Sequence, residues 1–150
     1  MHCFVFGSRT FGGHEMMAAR IVNQVLDAGG LARILGTPAQ IEQLRSRLRP
    51  SAELVLLRHS ERRLESMPGW LNPRVYTASR ELQAALHGCQ TLTMVNGGLT
   101  ANHALTLAAS CAARRAGAQA WIYFPMLHDT DELGLQGLRA ASYRRAQNRV

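Results

Sequence analysis

Twice in this chain an apolar run stops at glycines and a helix-length segment begins directly behind it. Phe4-Val5-Phe6 runs into Gly7-Ser8-Arg9-Thr10-Phe11-Gly12-Gly13. Much later, Leu92–Val95 runs into Asn96-Gly97-Gly98, and the alanine-rich segment Ala101–Ala116 follows behind Thr100. Glycine carries no Cβ, so the backbone at such a turn can come close to a ligand. The N–H groups of the next helical turn are unpaired and sit at the positive end of the helix dipole. A strand, a glycine turn and a helix start in that order therefore make a place to hold an anion.

The rest of the chain repeats the strand–helix alternation. His2–Phe6 is near-continuous in apolar residues, as a strand buried on both faces should be. His14–Asp27 has helical spacing and closes at Gly29-Gly30; Leu31–Leu35 is the second strand. Thr37 caps a helix that has Pro38 at its first position and Gln40 at its third, and Pro50 stops it. Glu53–Leu57 is the third strand. Arg58–Pro73 reads as a loop or lid, Arg74–Tyr76 as a short strand and Ser79–His87 as a helix closed by Gly88. Cys89–Val95 and Gln119–Phe124 are strands on either side of the Ala101–Ala116 helix, and Asp129–Arg149 closes the chain as a helix. This order predicts one α/β domain over 150 residues: a three-layer fold with a mostly parallel sheet and helices on both faces. Ligands of such sheets bind beyond the carboxyl ends of the strands, near the switch in strand order.

Charge narrows the chemistry. The net charge is +7, and all 17 basic residues are arginine. Without lysine there is no Schiff base and no lysine-bearing P-loop. Arginine holds phosphate through a planar fork, and a pI near 10.6 favours acidic partners, although an arginine-biased genome is the better explanation of the missing lysine. The arginines are spread along the chain, so the sequence outlines no concentrated nucleic-acid patch. No apolar run approaches the roughly 20 residues of a membrane span, and the N-terminus does not read as a signal peptide. Cys3, Cys89 and Cys111 are scattered and odd in number. They read as buried thiols of a cytoplasmic protein rather than a disulfide framework or zinc site. Neither a cofactor nor a metal is expected.

The first turn has the glycine spacing of a P-loop, but Gly13 and His14 stand where lysine and serine or threonine belong, which removes the nucleoside-triphosphatase reading. Gly7, Ser8, Arg9 and Thr10 then meet a phosphate or ribose, or form a tight turn with an exposed arginine. The Ser-Arg-Thr cluster between glycines favours the ligand. Asn96, Gly97, Gly98 and Thr100 form the second half of the site, or a plain turn capped by Thr100. His103, in the first turn of the next helix, donates to a phosphate or simply faces solvent. His128-Asp129 with Asp131-Glu132 is a weak metal or acid–base pattern, since acids in a first helical turn already suit the dipole. Glu15 is the carboxylate best placed to attack a glycosidic carbon, its alternative being a first-turn acid. Trp70 reads as a loop anchor and Trp121 as a core strand residue.

The Gly7-Ser8-Arg9-Thr10-Phe11 opening, Asn96-Gly97-Gly98-Leu99-Thr100-Ala101 and the following ARRAGAQAWIYFP resemble the SLOG superfamily. This is the Rossmann-like group that includes the DNA-processing protein Smf and the Lonely Guy phosphoribohydrolases. The resemblance covers the beginning and the last third of the chain. It implies a nucleotide-derived ligand between the two glycine turns, bound by Gly7, Ser8, Arg9, Gly97, Gly98 and Thr100. The catalytic glutamate of the Lonely Guy motif falls here near Ala104 or Leu105, which turns the expectation toward a binder or sensor. The alternatives are a hydrolase or transferase of nucleotide N-glycosidic bonds that uses Glu15 or the Asp129–Glu132 cluster, and a nucleic-acid-binding module. A homodimer stays open as well.

Overall fold

The computed structural model describes residues 1–7, 11–58, 72–96, 103–123, 136, 137 and 141. Its elements are β1 (His2–Phe6), α1 (Gly13–Asp27), β2 (Ala32–Gly36), α2 (Pro38–Arg45) and β3 (Glu53–Leu56), then α3 (Pro73–Ala85), β4 (Thr91–Val95), α4 (His103–Ala116) and β5 (Gln119–Tyr123). The five strands form one sheet in the order β3-β2-β1-β4-β5, and every pairing is parallel. The expected three-layer α/β architecture is what forms.

β1 is the central strand, and its alternation builds two cores. Successive side chains of a strand point to opposite faces. Cys3 and Val5 accordingly join Leu82, Leu86, Leu92 and the alanines of α4 on one face. Phe4 and Phe6 join Val22, Ile34, Ile41 and Leu44 on the other. Helices α1 and α2 thus cover one side of the sheet, α3 and α4 the other. Ala104, Ala108, Ala109, Ala112 and Ala113 are buried along α4. Their short side chains let α4 lie close to the sheet and to α3, with which it makes the most extensive helix–helix contact.

Local chemistry sets the helix ends. Thr37 Oγ1 accepts from Gln40 N, while Gln40 Oε1 accepts from Thr37 N at 2.8 Å, so the predicted capping box is present. Beyond α1, Gly29 takes a φ of +79°, and the N–H groups of Gly29 and Gly30 donate to the carbonyls of Leu26 and Val25.

Several expectations are corrected. Arg74–Tyr76 is not a strand, and Pro73 does not end a loop: Asn72 caps α3 by accepting from Arg74 N at 3.0 Å, and Pro73 opens the helix. Proline's fixed φ suits a first helical position, so Asn-Pro was a helix start. β4 begins at Thr91, two residues later than expected, and β2 is shifted by one residue to Ala32–Gly36. Trp121 is not core: it lies on the edge strand β5 with 54% of its surface exposed. The cysteines are not three separate thiols. Cys3 in β1 meets Cys89, just ahead of β4, as a disulfide with a Cα–Cα distance of 6.2 Å, leaving Cys111 free. Pairing of His2 with Thr91 in adjacent parallel strands brings them together from 86 residues apart. The expected closing helix (Asp129–Arg149) and the segment 59–71 lie outside the described residues, apart from Gln136, Gly137 and Ala141.

Candidate functional site

β1 and β4 are hydrogen-bonded neighbours, with Phe6 paired to Val95. From β1 the chain moves to β2 and β3 on one side, whereas β4 and β5 lie on the other. The strand order therefore reverses between these two strands, and both glycine turns leave from that point. Gly7 N donates to Val95 O at 3.4 Å, and Asn96 N donates to Tyr123 O at 3.4 Å, which extends the ladder across three strand ends. Gly7 and Asn96 are side by side at the carboxyl edge of the sheet.

Helices α1 and α4 begin behind these turns, on opposite faces of the sheet. Each turns the positive end of its dipole toward this edge. A crevice between the strand ends is lined by Val5, Gly7, Met94, Asn96, Leu105 and Thr106. Asn96 is 3% exposed, and its Nδ2 donates to Thr106 Oγ1 at 3.2 Å. That bond fixes the end of β4 to α4. Thr106 was not singled out from the sequence, where it looked like one more small residue in an alanine-rich helix.

Glu15 lies in the first turn of α1 and is 2% exposed. Its Oε2 accepts from Gly12 N at 2.7 Å, the carboxylate half of a capping box, and its Oε1 lies against His14 Nε2. The residue behaves as a buried cap that also holds an imidazole at the start of α1. The sequence registered His14 only as a departure from the P-loop, although its position beside Glu15 in a first turn was the available signal.

Ser8, Arg9, Thr10, Gly97, Gly98 and Thr100 lie outside the described residues, as do His128, Asp129, Asp131 and Glu132. His103 is the first residue of α4. The structure thus brings Gly7 and Asn96 together and puts Glu15 at the start of the helix behind the first turn. Among the described residues, no group of three or more His, Cys, Asp or Glu side chains could hold a metal ion, and no helix is long and apolar enough to cross a membrane.

No protein-family model and no curated protein matches the sequence. Among solved structures, the chain is similar to MurG of Acinetobacter baumannii, with a TM-score of 0.59 at 15% sequence identity over 97% of this chain. The fold is Rossmann-like. At that identity the likeness speaks for the fold alone, and this chain spans only 39% of the length of the MurG chain. A Rossmann-like sheet with its order reversing between β1 and β4 gives the crevice at Gly7 and Asn96 the position where ligands of this architecture bind.

Proposed function

We propose that this protein binds a nucleotide or nucleotide-derived small molecule at the carboxyl edge of the sheet, between the turns that follow β1 and β4. The observation that carries the reading is the adjacency of those turns at the reversal of strand order, with Phe6 and Val95 paired and Gly7 hydrogen-bonded to Val95. The start of α4 reaches the crevice through Leu105 and Thr106, and the positive end of its dipole there favours an anionic group such as a phosphate. Arg9, two residues beyond Gly7, clamps that phosphate in this reading. Ser8, Thr10, Gly97, Gly98 and Thr100 supply the remaining contacts. The SLOG resemblance supports the same ligand class.

The carboxylate of Glu15 is already engaged by Gly12 and His14, which supports binding over glycosidic cleavage. The test is a thermal-shift screen against mononucleotides, cyclic nucleotides and NAD derivatives, followed by calorimetry on any hit. A ligand at about 100 times its Kd stabilises by about 2.7 kcal/mol. For a domain of this size that raises Tm by about 5–10 °C. Arg9→Ala should weaken the hit by about tenfold or more, the worth of a charge-assisted bond. Unshifted melting with every nucleotide sinks the reading, and unchanged affinity of Arg9→Ala removes the clamp.

A further inference from the structure

Away from the switch-point crevice, a second concave surface runs along the outside of α3. Tyr76, Arg80 and Gln83 are spaced by four and three residues, so they share one face of that helix, and His87 continues the line past its end. Two adjoining depressions follow this line and share Arg80 and Gln83. One is closed on its far side by Arg115, the other by Ala116, both from the last turn of α4. The groove ends near Gly88, toward the edge of the sheet opposite Gly7 and Asn96.

Among the described residues its cationic side chains lack acidic partners, unlike several arginines elsewhere on the surface. Arg33, Arg45 and Arg49 each meet a carboxylate, from Glu53, Glu42 and Asp27 respectively. The Asp27 hydrogen bond and charge even hold the Arg49 guanidinium above its ordinary pKa. Among the described residues neither Arg80 nor Arg115 has such a partner, and no acidic side chain lines the groove. Arginine in a last helical turn is ordinarily explained by the helix dipole. Arg115, however, reaches across to the neighbouring helix, where its Nη1 donates to the buried Ser79 Oγ at 3.1 Å. One N–H of the fork is fixed on α3, which holds a cationic head group in place beside the groove.

Tyr76 completes the pattern. Tyr76 is 66% exposed at the head of the groove, the most exposed large hydrophobic residue among those described. An oriented arginine, a second unpaired arginine and an open aromatic ring along one channel are what a single strand requires. Phosphates follow the cations, and a base stacks on the ring. A duplex hides its base faces and is read by an element that enters a groove, which this shallow channel between two helices does not offer.

We propose that the α3–α4 groove binds single-stranded nucleic acid, independently of the nucleotide crevice. From Tyr76 to His87 the line is about 16 Å long at 1.5 Å per residue. At a stacked spacing of about 3.4 Å it spans about four or five nucleotides.

The experiment is fluorescence anisotropy of a labelled 15-nucleotide single strand at several salt concentrations. It uses the full chain and the variants Arg80→Glu, Tyr76→Ala, Tyr76→Phe and, as a charge-matched control on the opposite face, Arg20→Glu. All three positions are exposed, so each variant should fold, with circular dichroism as the check. Binding should weaken as salt rises, with a log–log slope of about −0.7 per phosphate neutralised, and Arg80→Glu should flatten that slope. Tyr76→Ala should lose about 5- to 150-fold, the worth of one stacked base, while Tyr76→Phe keeps its affinity. Arg20→Glu should leave binding close to that of the parent. The proposal is overturned by absence of strand binding, by equal losses for Arg20→Glu and Arg80→Glu, or by duplex and heparin binding as tightly with Tyr76→Ala silent. Mononucleotide affinity of Arg80→Glu, measured alongside, should be unchanged, so failure here stays separate from failure at the crevice.

Discussion

Asn96 at the end of β4 donates through Nδ2 to Thr106 Oγ1 in α4, 3.2 Å away, and Asn96 itself is 3% exposed. A bond from the end of a strand to the helix that follows fixes where that helix's N-terminus points. Thr106→Val preserves shape and removes the acceptor. Leaving a buried amide short of a partner costs about 1–3 kcal/mol. Urea unfolding should show that loss as a lower midpoint with an unchanged slope. Nucleotide affinity should fall as well, because α4 then loses its fixed aim at the crevice. A variant as stable as the parent would show that the bond contributes nothing net.

Glu15→Gln separates a structural from a chemical role for this carboxylate. Glu15 Oε2 holds Gly12 N, and Oε1 faces His14. The amide keeps the volume but loses the charge that serves both contacts. Hydrogen bonds to charged groups contribute about 1.5–3 kcal/mol, so the variant should melt lower by about 3–10 °C. A catalytic carboxylate with no structural role would leave the melting temperature where it was. Unchanged melting would therefore refute the capping role.

What could be read from the residues was what local rules govern. β1 is a run of apolar side chains that needed cover on both sides, and its two cores follow from alternation alone. The Thr37–Gln40 box and the glycines after Asp27 are likewise local signals, and each marks a real boundary. Arg74–Tyr76 failed because a β-branched, aromatic tripeptide looked extended, while the Asn72-Pro73 cap immediately before it decided for helix. Trp121 failed because strand order is not local: nothing in Gln-Ala-Trp-Ile-Tyr announces an edge. The meeting of Cys3 with Cys89 depends on β1 and β4 being neighbours, which is again a tertiary fact. The site divides in the same way. Gly7 and Asn96 were visible as turn residues, but Thr106 and the groove along Tyr76 and Arg80 exist only once helices are placed beside one another.

A glycine that opens α1 and one just past its end should respond to alanine in opposite ways. At Gly30 a Cβ would lie 2.8 Å from the Val25 carbonyl oxygen and 2.9 Å from its Cγ1. The oxygen already accepts from Gly30 N and cannot retreat. Gly30→Ala should cost about 1–3 kcal/mol, the usual penalty for forcing an extra methyl into a packed site. At Gly13, the first residue of α1, a Cβ meets nothing within 4 Å among the described residues. Gly13→Ala should be neutral or stabilise by about 0.4–1 kcal/mol, through a less disordered unfolded chain. Paired thermal melts check both signs. A Gly30→Ala variant more stable than Gly13→Ala would contradict the close approach at the end of α1.

The packing of α4 gives the sharpest test of how the crevice is held. Ala108 is fully buried in the core shared with α3, Leu92 and Met94. Ala108→Leu adds three carbons where the helix already lies against the sheet. Overpacking of this kind costs about 1–3 kcal/mol, partly through displacement of the helix itself. Because Thr106 rides on α4 and is bonded to Asn96, displacement should carry the helix N-terminus away from the strand ends. Ala108→Leu should therefore lower both melting temperature and nucleotide affinity, whereas Arg20→Glu, on the exposed side of α1, should lower neither appreciably. Loss of stability with full affinity would mean that the crevice does not depend on how α4 is seated.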